Sequence, residues 1–168
     1  MKQARNFLLL FLFATTLRSC GIYSFSGVNI QPDIKTYTVL PFENTARLVI
    51  PGFAEEFRLA LVDKIQNMTD LDYTDRQADL IYAGKITRYY IQPAASTGNQ
   101  QAALNRLTVE VEIDFKNRKH PDENFTKSFS YYYEFPANKL PDDIRSEAHE
   151  IITEQITQDI FNETLAKW

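Results

Sequence analysis

The sequence is poor in the residues that support several common kinds of functional site. It has one cysteine, two histidines and five glycines in 168 residues. A single cysteine excludes an internal disulfide, and so few glycines argue against a phosphate-cradling loop. No P-loop, GxGxxG, GxSxG or HExxH motif occurs. Acids outnumber bases by 22 to 18, so we expect no nucleic-acid partner, which would need a basic surface. We also expect no enzyme activity, no cofactor and no metal.

What the sequence does have is a short apolar block near its start. Lys2 and Arg5 precede the apolar run 7–13, which is about half of the roughly 20 residues that span a bilayer. A positive start, a short apolar block and a small residue before the cut are typical of a secretory signal peptide. The residues at 17–20, Leu-Arg-Ser-Cys, resemble the lipobox of bacterial lipoproteins, with an arginine where a small residue is usual. The resemblance implies cleavage before Cys20 and its acylation, hence a membrane anchor.

This interpretation divides the chain into three parts. Residues 1–19 are a cleaved lipoprotein signal peptide, residues 20–32 a lipidated tether, and residues 33–168 a single domain. Removal of the leader leaves 15 basic and 22 acidic residues, a net charge of −7. The tether holds three apolar residues that either dock on the domain or sit at the lipid interface, namely Ile22, Tyr23 and Phe25.

The hydrophobic periodicity of the domain predicts strands and two helices. Strands are predicted over 34–42, 71–74, 78–92, 104–115 and 125–135. A helix over 53–68 follows from four apolar residues at four-residue spacing, and a second helix runs from Pro141 to the C-terminus. Gly84 interrupts a strand pattern and indicates a bulge or a close approach. The strand over 104–115 alternates apolar and polar residues, and the turn-rich stretch after it predicts an antiparallel hairpin.

One dry sheet face and two amphipathic helices predict an α+β fold. We expect a two-layer sandwich, with a mostly antiparallel sheet of about four strands and both helices packed on the dry face. Glu110, Glu112 and Asp114 share the wet face, where they either bind a cation or form a solvated acidic surface. Both His120 and His149 are expected to be ordinary surface residues.

Two polar segments are candidate contact surfaces. The turn after the strand 104–115 holds a cluster of cations in an acidic protein, Lys116, Arg118 and Lys119, followed by a histidine. Such cations recognise phosphate oxygens or acidic partners. The alternative is that they only keep the exposed tip of the hairpin solvated and bind no partner. The loop 93–103 is nearly uncharged; it either packs against another protein or is flexible.

Several stretches resemble one family, the LptE lipopolysaccharide-assembly lipoproteins of the outer membrane. They cover 20–27 (CGIYSFSG), 41–46 (PFENTA), 102–109 (AALNRLTV), 115–117 (FKN), 160–162 (IFN) and Trp168. The match spans almost the whole mature chain and looks like a divergent branch of the family.

The resemblance implies a role as assembly partner and plug of the lipopolysaccharide translocon barrel, LptD, with possible contact to lipopolysaccharide itself. It also implies a small sheet backed by two helices, and a location on the periplasmic side of the outer membrane. Gly21 after the cysteine, in place of aspartate, fits that location. We assign lipopolysaccharide or partner contact to Lys116, Arg118 and Lys119 from local charge alone. The alternative function is a free-standing periplasmic lipoprotein that binds a lipid or other amphiphile.

Overall fold

The computed structural model describes residue 28, residues 30–94 and residues 103–166. Within these ranges lie six strands and two helices, in the order β1 (Thr36–Val39), β2 (Glu43–Asn44), α1 (Phe53–Met68), β3 (Asp72–Tyr73), β4 (Leu80–Pro93), β5 (Leu104–Asn117), β6 (Phe125–Pro136) and α2 (Pro141–Leu165). A 3-10 turn at Pro121–Glu123 lies between β5 and β6. No helix of the described ranges is long and apolar enough to cross a membrane.

The strands form one mixed sheet in the order β3-β1-β4-β5-β6, with β2 also paired to β4. The three long strands β4, β5 and β6 are antiparallel, whereas β1, β2 and β3 all pair in parallel. Both helices cover one face, so the predicted α+β sandwich is confirmed. The expected number of about four strands is too low, and the parallel half was not predicted. The reason is that β2 and β3 have two residues each and their partners lie far away in the sequence.

The predicted strand over 34–42 is shorter in the structure. β1 ends at Val39, and the chain then turns inward before it returns to β4 as β2. Phe42 turns inward between them, and its ring lies over Gly84 of β4. A Cβ atom at Gly84 would be 2.3 Å from Cζ of Phe42. The predicted close approach at Gly84 is therefore correct, while the bulge lies further along β4, between Ile86 and Arg88.

The apolar stripes of the helices fill the space over the sheet. In α1 the four residues at four-residue spacing are all buried: Phe53, Phe57, Leu61 and Ile65. The helix begins directly after Gly52, whose φ of 83° lies in the left-handed region that glycine tolerates. In α2 the stripe is formed by Ile144, Ala148, Ile152, Ile156 and Ile160. Large side chains of the sheet meet these stripes, including Tyr37, Tyr82 and Phe115, which are fully buried.

The contacts define two ends of the domain. Gln31, near the start of the described chain, donates to Glu123 after β5 at 2.6 Å, and Lys127 of β6 pairs with Glu163 of α2 at 2.7 Å. The chain start, the β5–β6 turn and the end of α2 therefore share one end, here called the turn end. The opposite end, called the loop end, holds the first turns of both helices and the loops 45–52 and 137–140.

Candidate functional site

The candidate basic turn is built around a buried asparagine. Asn117 at the end of β5 is 1% exposed. Its side-chain oxygen accepts the backbone N–H groups of Lys119 and His120, each at 3.0 Å. Its amide nitrogen donates to Glu123 at 2.7 Å. These bonds satisfy the polar groups of a tight turn and leave the long cationic side chains outside.

Two of the three predicted cations are balanced by carboxylates of the domain. Lys116 pairs with Asp114 at 3.1 Å, and Lys119 lies 3.7 Å from Asp79. Arg118 is exposed and has no ion pair within the described ranges. The structure therefore brings the three cations together on one turn, with Arg118 as the one whose charge is unpaired there. An exposed, unpaired guanidinium is the group of this turn best suited to a phosphate.

The same turn also anchors the start of the described chain. Nε2 of His120 is 3.1 Å from a carboxylate oxygen of Asp33, and this hydrogen bond holds the pKa of Asp33 below its usual value. Asp79 accepts the backbone N–H groups of Lys35 and Thr36 at 2.9 and 3.1 Å. His120 is thus at the surface of the turn, as predicted, but it is tied to the segment that leads back toward Cys20.

A groove lies beside this chain start, at the turn end. It has a volume of about 400 Å³, and its lining combines polar and apolar side chains: Gln31, Lys35, Asn67, Thr69 and Asp70 beside Val28, Ile30, Pro32, Ile34, Met68 and Leu71. A second pocket of about 300 Å³ lies at the sheet edge where β1 gives way to β2. Neither pocket lies between the sheet and the helices.

Most charges on the uncovered face of the sheet are ion-paired. Each acid of the predicted acidic surface has a cationic neighbour: Glu110 with Arg88 at 3.5 Å, Glu112 with Lys85 at 2.7 Å, and Asp114 with Lys116. Within the described residues no group of three His, Cys, Asp or Glu side chains is arranged to hold a metal. These three acids are therefore ion-paired rather than isolated, and Glu43 of β2 lies beside Lys85 as a further acid on the same face.

His149 is the polar residue that the sequence reading placed wrongly. It is 3% exposed, not a surface residue. Its ring stacks on Phe53 of α1 at 4.0 Å between centroids, and its Nε2 is 3.0 Å from the hydroxyl of Tyr89 in β4. Burial lowers the pKa of His149, although the carboxylate of Glu56, 3.8 Å from Nδ1, acts in the opposite direction. The residue follows Ala148 of the buried stripe, so the helical period could have indicated that it borders the core.

Two predicted features lie outside the described residues. Cys20 and most of the tether over 20–32 lie outside the described residues, which include only 28 and 30–32 of it, and of the loop 93–103 only residues 93, 94 and 103 are described. The candidate surfaces that the structure shows are therefore the basic turn, the groove beside it and the ion-paired sheet face. None of them combines a nucleophile, a base and a cavity, which hydrolytic chemistry needs.

Comparison with known proteins identifies a family and a fold. The family model LptE, described as lipopolysaccharide-assembly, matches residues 34–164. No curated protein sequence gives a significant match. The hypothetical protein CT253 from Chlamydia trachomatis superposes with a TM-score of 0.53 at 9% identity, covering 80% of this chain and 99% of that one.

Two further solved structures share the architecture. Protein XCC0632 from Xanthomonas campestris, of family DUF330, has a TM-score of 0.51 at 14% identity, with 82% and 90% of the two chains covered. The PelC dodecamer from Paraburkholderia phytofirmans has a TM-score of 0.50 at 8% identity, with 83% and 95% covered. At such identities the likeness concerns the fold alone.

Proposed function

Because the chain belongs to the LptE lipopolysaccharide-assembly family, whose model matches residues 34–164, we propose that it works as an outer-membrane lipoprotein in lipopolysaccharide transport. In this proposal it is the assembly partner and plug of an LptD-like translocon barrel, on the periplasmic side of the membrane. The family is a non-enzymatic lipoprotein family, and the proposal contains no catalytic step. The family match is the observation that carries the proposal.

The ion-paired sheet face supports the plug role. The lumen of a large membrane barrel is polar and wet, so a plug needs side chains that keep their charges satisfied beside such a wall. On this face four bases are paired with four acids: Lys85, Arg88, Arg106 and Lys116 with Glu112, Glu110, Glu134 and Asp114. A surface of this kind tolerates a polar neighbour without leaving an isolated charge buried.

The lipid anchor is the second part of the proposal. Acylation of Cys20 would keep the domain beside the membrane and raise its effective concentration near the barrel. Mass analysis of the mature protein tests this directly, since we expect a chain that begins at Cys20 and carries acyl chains. The variant Cys20→Ala should lose membrane attachment, whereas retention of this variant in the membrane fraction would contradict the anchor.

The basic turn is the proposed contact for lipopolysaccharide or for the partner. Arg118 supplies a free guanidinium, and Lys116 and Lys119 can exchange their carboxylates for phosphate oxygens. Replacement of all three by serine should weaken binding to purified lipopolysaccharide or reduce barrel assembly. A control with three other exposed cations replaced by serine, Arg47, Arg76 and Lys139, should leave both unchanged. Unaltered binding and assembly in the first variant would remove the turn from the proposal.

The alternative, a free-standing lipoprotein that binds an amphiphile, requires an apolar cavity. The space between sheet and helices is instead filled by large buried side chains, among them Tyr37, Phe57 and Tyr82. The groove at the turn end is open and lies beside the start of the described chain, so it is the place where such a ligand would bind. Native mass spectrometry of the purified protein would detect a retained lipid and favour this alternative.

The main proposal is tested by crosslinking in cells followed by identification of the partner. We expect a large outer-membrane barrel to co-purify with the protein, and depletion of the protein to leave lipopolysaccharide stranded in the periplasm. Normal lipopolysaccharide at the surface of depleted cells, together with no barrel in the crosslinked material, would exclude the role.

A further inference from the structure

Strand β6 forms a long edge of the sheet. It has 12 residues and pairs with β5 along its whole length. The sheet order ends at β6, and within the described ranges no other strand pairs with its outer side. An edge of this kind presents a row of N–H and C=O groups that are ready to pair with another chain. The opposite edge is formed by β3, which has only two residues.

The central part of β6 lacks the features by which proteins usually protect such an edge. Its register with β5 contains no bulge, and its only proline is the last residue. The residues 128–133 (SFSYYY) carry no charge. The two charged residues of the strand are already paired inside the domain, Lys127 with Glu163 and Glu134 with Arg106. Short edges, charges, prolines and bulges are the common protections against strand pairing.

The charge of the neighbouring helix indicates what kind of strand fits. α2 packs against β6 and holds seven acids and one arginine. Three of these acids are ion-paired within the domain, namely Asp142, Glu154 and Glu163. The other four leave the helix with a net negative charge. One of them, Glu147, lies beside Tyr133 of β6, where desolvation and this carboxylate both raise the pKa of the tyrosine hydroxyl group. A second copy paired antiparallel through β6 would place two such acidic helices side by side, which their repulsion disfavours. A strand with basic side chains on the helix side would be attracted instead.

We propose that β6 is completed by an extended strand of a partner protein, with basic side chains at alternate positions facing α2. Backbone hydrogen bonds supply the attachment, and the charge of α2 selects the partner and its register. The inference concerns this edge alone and does not require that the partner is the translocon barrel. It predicts that the edge accepts strands of one charge pattern and rejects others.

The test uses the full chain and a synthetic ten-residue peptide in which lysine and valine alternate. We expect binding with slowed amide exchange in 125–136. A peptide with glutamate in place of lysine should bind at least about tenfold more weakly because of repulsion from α2. The lysine peptide N-methylated along one edge should lose at least about tenfold in affinity, since it keeps the charge but cannot form the strand bonds.

A pair of variants of the protein completes the experiment. Ser128→Lys with Ser130→Lys adds two charges to the exposed side of β6 and should weaken binding of the lysine peptide. Gln66→Lys with Asn67→Lys adds the same charge to exposed positions at the end of α1 and should bind as wild type; circular dichroism checks the fold of both. Equal binding of the N-methylated peptide, no binding at all, or a concentration-dependent dimer blocked by the β6 variant would each overturn the proposal.

Discussion

Replacement of Gly84 by alanine could change the stability of the fold in either direction, depending on whether the strand has room for a side chain at this position. In a strand that has room for a side chain, alanine is favoured over glycine by about 0.5–1 kcal/mol, because glycine loses more chain entropy on folding. At Gly84 a Cβ atom would lie 2.3 to 2.7 Å from three ring carbons of Phe42. The ring is 8% exposed and packs on Phe57 at 5.5 Å between centroids. It therefore cannot move away without losing buried contacts.

We expect Gly84→Ala to destabilise the protein. Overpacking of a filled core costs about 1–3 kcal/mol, which on average exceeds the gain in chain entropy and leaves a net loss of about 1 kcal/mol. Urea denaturation followed by circular dichroism measures this loss. With a urea dependence of about 1–3 kcal/mol per molar, the midpoint should fall by roughly 0.3–1 M.

A double-mutant cycle identifies the cause. In a Phe42→Ala background the ring is absent, so Gly84→Ala should become neutral or stabilising. Gly52→Ala is the matched control, because its cost arises from a φ of 83° with no atom within 4 Å of the added Cβ. This cost should be the same in both backgrounds. A stabilising effect of Gly84→Ala in the wild-type protein would refute the reasoning.

Two further predictions concern titratable groups. Because burial lowers the pKa of His149, its neutral form stabilises the fold above a pH of about 6.5, and this stability declines as the pH falls further. His149→Gln should flatten the pH dependence of thermal unfolding below about pH 6.5. The same slope in wild type and His149→Gln would contradict this. The pKa of Asp79 is lowered, first by the backbone N–H of Lys35, so its contribution is present above about pH 4 and is lost in acid. Asp79→Ala should lower the free energy of unfolding, measured by chemical denaturation, by about 1–2 kcal/mol, because it leaves the N–H groups of Lys35 and Thr36 without their acceptor. Asp79→Asn keeps an acceptor oxygen and should cost less. Equal losses in the two variants would argue against the hydrogen bonds.

The parts of the fold that depend on local pattern could be predicted from the sequence. Helix α1 has the predicted bounds, because Pro51 and Gly52 precede four apolar residues at a regular spacing. The hairpin of β5 and β6 was predicted from alternation and a polar turn. The parallel pairing of β1 and β3 was not predicted, because strands this short carry little periodicity and pair with partners far along the chain.

The candidate site was harder to predict from the sequence, because it depends on contacts between residues that are distant in the chain. The cations of the basic turn are visible in the sequence, but the approach of Asp79 to Lys119 depends on the antiparallel register of β4 and β5. The same holds for His149, whose burial requires Phe53 and Tyr89 to meet over it. Only the folded arrangement shows that most of the local charge is already neutralised.

The arrangement of the two ends sets how far the protein can reach. β5 spans 14 residues, so the loop end lies about 45 Å from the turn end. With an anchor at Cys20, the ten residues to Ile30 extend at most about 35 Å from the bilayer. The exposed Leu48, Val49 and Leu140 lie at the loop end, at the far side of the domain from the start of the described chain.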